Sequence, residues 1–219
     1  MSTESTRKAS ENPERLAYWY FRLNGFFTTE NFVVHPDIGK KQKTDADLLA
    51  VRFSHRAENL ERTMEDDDKV VGCTKLVNVI IVEVKKSHCN LNGPWTDPKA
   101  RNMQRVLKSI GCVGPDFLEH ACKRLYAKGE WANDFVQVRL FAIGETKRGD
   151  LIINDQQQLA WDDVIGFIVT RFREYRNQKS SVGQWSEDGR KLKALALGKD
   201  PEKAIREWYD LEPKTVVGE

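Results

Sequence analysis

Apolar residues recur along this chain in two periods, and where the period switches the chain is expected to pass from helix to strand. From Pro13 the positions Leu16, Ala17, Tyr20, Phe21 and Leu23 fall at helical spacing, with Asn12 as N-cap, Glu14 in the first turn and Gly25 as a left-handed stop. Short apolar runs at Asn31–His35 and Ala46–Phe53 predict strands. Leu76–Lys85 is a near-continuous β-branched run, the pattern of a strand covered on both faces in the middle of a sheet. Helical patterns over Pro98–Ile110 and Pro115–Lys128 each stop at a glycine. Phe135–Ile143 predicts a fourth strand, and Leu151–Asn154 a short edge strand. Helices follow over Trp161–Gln178, Ser186–Leu197 and Pro201–Leu211, the first with Val164, Ile165, Ile168, Val169 and Phe172 on one side. The connecting segments are polar: Pro36–Thr44 carries three lysines, Ser87–Pro98 is rich in Asn, Gly and Pro, and Ser54–Lys75 is charged. Within the last, Met64–Lys69 reads as a solvated loop, with one short helix as an alternative. The sum is an α/β chain with a central mixed sheet flanked by helices. Residues 1–150 are expected to form the core and 151–219 a helical C-terminal extension packed on it.

Composition narrows the class without choosing a function. The 219 residues are 40% hydrophobic and 31% charged, which is globular rather than disordered. No apolar run approaches the ~18–20 residues that span a bilayer. The polar N-terminus has no apolar signal region, so a cytoplasmic protein with no membrane partner and a loose leader is expected. Cys73, Cys89, Cys112 and Cys122 form no zinc spacing and read as reduced thiols. The net charge of +2 gives no signal for nucleic acid, so such a reading must rest on a site.

That site is sought at the end of the third strand. Alternation of side chains places Glu83 and Lys85 on one face and Val82 and Val84 on the other. A carboxylate at the end of so apolar a strand is costly unless it is paired or binds a metal. Asp47 opens the preceding strand and approaches Glu83 if the two strands are neighbours. Two carboxylates with backbone and water oxygens suit Mg²⁺, which acidifies a bound water and neutralises charge on a phosphate. Lys85 is placed to orient the attacking water and to stabilise the developing charge.

Asp47 followed by Glu83-x-Lys85 at the ends of adjacent strands resembles the PD-(D/E)xK phosphodiesterase superfamily, whose core is the restriction-endonuclease-like fold. The likeness covers residues 13 to 86, with looser agreement to 144, and includes the opening helix and the turn Gly25-Phe26. It implies a nuclease dependent on Mg²⁺ or Mn²⁺, acting on DNA in phage defence, restriction or repair. It implies Asp47, Glu83 and Lys85 as the catalytic set, with Asp47, Glu83, the Val84 carbonyl and the helix glutamate Glu14 at the metal. Gln104 would be an accessory residue on the downstream helix. A homodimer or a larger defence or repair complex would be in keeping with it. The sequence departs from the pattern in having Ala46 at the motif's proline and a long insert over 54–75.

Bland readings stand beside these. The bland reading of Glu83 and Lys85 is a surface ion pair on an edge strand, worth under ~1 kcal/mol, although the apolar Val79–Val82 run opposes an edge position. Glu14 also suits the helix dipole. The aromatic run from Tyr18 to Phe21 reads as core. Arg171, Arg173, Arg176 and Lys179, with Lys86, are candidates for a phosphate backbone, and the same helix end also complements its dipole. Two other functions remain open: a catalytically inactive nucleic-acid-binding or assembly module on this fold, and a plain α/β scaffold.

Overall fold

A computed structural model describes residues 12–35, 44–61, 64–180 and 185–212. The N-terminal leader and nearly all of the lysine-bearing turn lie outside the described residues. Helix α1 spans Pro13–Leu23, and its Asn12 cap accepts the Arg15 N–H at 3.0 Å. Strands β1 (Phe27–Val34), β2 (Thr44–Arg52) and β3 (Val77–Val84) form an antiparallel meander, with α2 (Asp68–Val71) between β2 and β3. The chain then runs through α3 (Gly93–Thr96), α4 (Asn102–Ile110) and α5 (Pro115–Lys128). Strands β4 (Glu130–Ala132), β5 (Val136–Gly144) and β6 (Gln158–Ala160) follow, and α6 (Trp161–Glu174), α7 (Glu187–Ala196) and α8 (Pro201–Trp208) close the chain.

The sheet is six-stranded and mixed, in the order β1-β2-β3-β5-β4, with β6 paired to β5. β5 runs parallel to β3, the direction that the intervening helices make possible. Strand alternation then divides the core. Leu48, Ala50, Ile80, Val82 and Val84 face α1 and α6, with Leu192 and Ala196 of α7 and Ile205 of α8 in the same cluster. Leu49, Val79, Ile81, Val138 and Leu140 face α4 and α5. The sheet is therefore covered on both sides, as the β-branched run in β3 predicts. Trp19, Tyr20 and Phe21 are fully buried, so the aromatic run of α1 is core. Among the described residues no helix is long and apolar enough to cross a membrane.

Three expectations need correction. Leu151–Asn154 is not a strand. Asn154 caps a 3-10 turn by accepting the Gln156 and Gln157 N–H groups, and the Gln157 amide donates to the Gly129 and Leu140 carbonyls. The chain thus turns before it can lie along β5, and β6 takes that pairing. The helix expected from Pro98 is broken: a 3-10 turn covers Pro98–Ala100, and Arg101 adopts a left-handed φ of 56° before α4 begins. The acids of the 54–75 segment are not simply solvated. Asp67 caps α2 and accepts the Tyr20 hydroxyl at 2.7 Å, while Asp66 is buried among three arginines. Arg52 and Arg56 each reach Asp66 at 2.9 Å and Arg171 at 2.7 Å.

Candidate active site

β2 and β3 pair from Arg52–Asn78 as far as Leu48–Val82 and then part. Continuing that register sets Asp47 across from Glu83. β2 goes on beside β1 as far as Thr44, so the far end of the meander peels away from β3. Peeling leaves the Val84 N–H without a β2 carbonyl, and a buried N–H must find a partner. Asp47 supplies it: its Oδ2 accepts that N–H at 2.7 Å. On the other side β3 stays paired with β5, and the Lys85 N–H donates to the Ile143 carbonyl at 2.9 Å. The site is thus a notch at the strand ends, anchored by β3, which is buried from Asn78 to Val84.

Glu83 is 2% exposed. Its Oε1 accepts from the Lys85 ammonium at 2.5 Å and from the Asn92 amide, and its Oε2 accepts the Trp95 indole N–H at 2.7 Å. Glu83 and Lys85 do share a face, as alternation requires, and it is the face toward α4. The Lys85 side chain keeps 29% of its exposure, so the ammonium sits at the mouth of the notch. Its backbone carbonyl accepts the Trp161 indole N–H at 3.1 Å, which seats the start of α6 beside it.

Asn92 and Trp95 are absent from the sequence-based candidates. The chain after β3 turns back: Cys89 donates its N–H to the Thr146 carbonyl at 2.8 Å, Cys89 and Leu91 are buried, and α3 then lies over Glu83. Gly144 permits this, because a Cβ there would stand 2.4 Å from the Cys89 nitrogen. The available signal was a lone tryptophan, with Pro94 before it, inside an otherwise polar loop that follows a strand ending in charge.

Burial raises the Glu83 carboxyl above the usual range; the Asp47 charge adds to this, while Lys85 and Trp95 oppose it. Burial likewise raises Asp47, against the Val84 N–H and Lys85. Two adjacent carboxylates that both resist ionisation form a site whose charged state would be favoured by a cation. Two carboxylates and the Val84 carbonyl are hard oxygen donors, the type that suits Mg²⁺ or Mn²⁺ with waters completing the shell. Among the described residues no group of three or more His, Cys, Asp or Glu side chains gathers to hold a metal. Any ion here would therefore depend on backbone and water oxygens.

The other candidates separate. Glu14 is half-buried on α1, whose apolar residues pack on the sheet face opposite the one that Glu83 and Trp95 share. Gln104 lies on α4, on the same side as the pair. Lys86 is exposed and bonded to Asp210. Arg171 is fully buried against Asp66 and the Glu65 carbonyl, so a phosphate backbone cannot reach it; its expected role is withdrawn. Lys179 pairs with Glu58. Arg173 and Arg176 are exposed, but α6 starts beside Lys85 and is 14 residues long. At 1.5 Å per residue its basic end is about 20 Å from the notch. Burial pushes the Cys89, Cys112 and Cys122 thiols up to about 11, in keeping with inert cysteines. No protein-family model, curated protein or solved structure shows significant similarity to this chain.

Proposed function

We propose that the protein is a divalent-metal-dependent nuclease with a restriction-endonuclease-like core, acting on DNA in defence, restriction or repair. The observation that carries this reading is that Asp47 holds the Val84 N–H where β2 and β3 part, next to Glu83, which carries the Lys85 ammonium. The meander followed by helices and a parallel strand supports it, because the motif's residues then fall at adjacent strand ends. Asp47, Glu83 and the Val84 carbonyl would hold Mg²⁺ or Mn²⁺. When bound, such an ion supplies a more acidic water and neutralises charge on a phosphate. Glu83 fixes the Lys85 ammonium, and its partial exposure lets it direct a water toward phosphorus and stabilise the oxygens that gain charge. The buried wall formed by Trp95 holds Glu83 in one orientation, the pre-organisation that such positioning needs.

The test is cleavage of a panel of DNA and RNA substrates with Mg²⁺ or Mn²⁺. The wild type should cut and Lys85→Ala should not; equal cutting by both would sink the assignment. One observation favours a second reading, a non-catalytic nucleic-acid-binding module: both Glu83 oxygens already accept hydrogen bonds, from three donors in all. A mobility shift that persists in EDTA, with no cleavage under any metal, would select it.

A further inference from the structure

We infer that the outer face of α4 and the turn before it form a track for the phosphate backbone of a nucleic acid. This deepens the nuclease reading, on which it rests for the position of the scissile bond, and it replaces the basic end of α6 as the binding surface. From Pro98 to Pro115 the chain carries Lys99, Arg101, Arg105 and Lys108 and no acidic residue, in a protein whose net charge is only +2. Met103, Val106 and Leu107 bury the inner side of α4 on the sheet face shared by Asp47 and Glu83. The outer side is then fixed. Residues 101, 104, 105 and 108 follow helical spacing and line a cavity of about 240 Å³ together with Leu118.

Lys99, Arg101 and Lys108 are exposed and make no ion pair with another described residue. Arg15, Arg52, Arg56, Lys69, Lys86, Lys147, Lys179 and Arg206, by contrast, all have acidic partners. Gln104 adds a buried amide oxygen with no hydrogen-bond partner among the described residues, in the wall of the same cavity. A half-turn of that amide presents two N–H donors to an anion instead. Arg101 holds a left-handed backbone, a conformation unfavourable for a non-glycine residue, at the N-cap of α4, and its side chain lines the cavity. From Arg101 to Lys108 the helix rises about 10 Å. Over that axial distance one strand of a duplex presents about three phosphates. The track connects to the notch through α3, which precedes this turn and carries Trp95 against Glu83.

The test measures binding without chemistry. Labelled duplex DNA, single-stranded DNA and duplex RNA are titrated with the full chain in EDTA at several salt concentrations. Arg101→Glu with Lys108→Glu is compared with Arg173→Glu with Arg176→Glu, which changes net charge equally at the far end of α6. The α4 pair should weaken binding of the preferred substrate at least tenfold and lower the salt slope by about 2, at roughly 0.9 per phosphate contact. The α6 pair should change affinity less than twofold. Arg101→Gln with Lys108→Gln, checked for native thermal unfolding, should show the same loss if the glutamates disturb folding. Equal weakening by both charge-reversed pairs, weakening by the α6 pair alone, or no binding of any of the three by the wild type would overturn the track. The nuclease reading is scored separately. EDTA-resistant binding through α4 without metal-dependent cutting would remove the nuclease and keep the track. Cutting that is indifferent to the α4 changes would do the reverse.

Discussion

Trp95→Phe isolates the contact that sequence reasoning missed. The substitution keeps a ring in a fully buried position and removes the indole N–H that Glu83 Oε2 accepts at 2.7 Å. Glu83 is itself buried, so no water replaces the lost donor. A hydrogen bond to a charged group contributes about 1.5–3 kcal/mol, and that range is the expected loss when Glu83 is ionised. For a chain of this size it corresponds to a fall in Tm of about 3–12 °C. The pH dependence carries the sign. Burial raises the Glu83 carboxyl above its ordinary 4.5, so its stability contribution is complete below that value and is lost as pH rises through the folded-state value. The Trp95 bond opposes the rise, and removing it moves the folded-state value higher still. The penalty of Trp95→Phe should therefore be larger at pH 8 than at pH 4, because a carboxyl raised by burial is less ionised at the lower pH. Thermal unfolding at the two pH values reads this directly, with Glu83→Gln as the background in which the pH dependence should vanish. A cost below about 0.5 kcal/mol that is the same at both pH values would refute the bond to an ionised Glu83.

Two further outcomes test the frame around the site. Asp66→Asn leaves Arg52 and Arg171 buried without their carboxylate and should cost about 3–5 kcal/mol in chemical denaturation; burial alone would raise Asp66, but Arg56, Arg52 and Arg171 hold it below 3.8, so its contribution is present above that pH and disappears as pH falls through the lowered value. Gly189→Ala would set a Cβ 2.3 Å from the Trp19 ring and should lower stability by about 1–3 kcal/mol, whereas a neutral result would mean that α7 packs differently on α1.

The parts of the site that follow from local periodicity were legible in the sequence. Glu83 and Lys85 share a face because strands alternate, and consecutive antiparallel strands set Asp47 across from them. The long apolar run of β3 marked a strand covered on both sides, and both layers are present. What escaped depends on contacts distant in the chain or on chain reversals. Asn92 and Trp95 reach Glu83 only because the segment after β3 folds back, and no period encodes that. Arg171 has the sequence context of a surface cation and is buried because Asp66, 105 positions away, meets it inside the fold. Asp66 in turn sits in a run of acids whose neighbours are capping or exposed, so composition alone could not single it out.

The most direct measurement is calorimetric titration of Mn²⁺ into the wild type, Asp47→Asn and Glu83→Gln at pH 7.5 and again at pH 5. Because both carboxyls are raised, chiefly by burial, protons should compete with the ion as pH falls. One site in the wild type, weaker at pH 5 and lost in both variants, is the result a carboxylate cation site requires. No uptake by the wild type, or undiminished uptake by Asp47→Asn and Glu83→Gln, would contradict it.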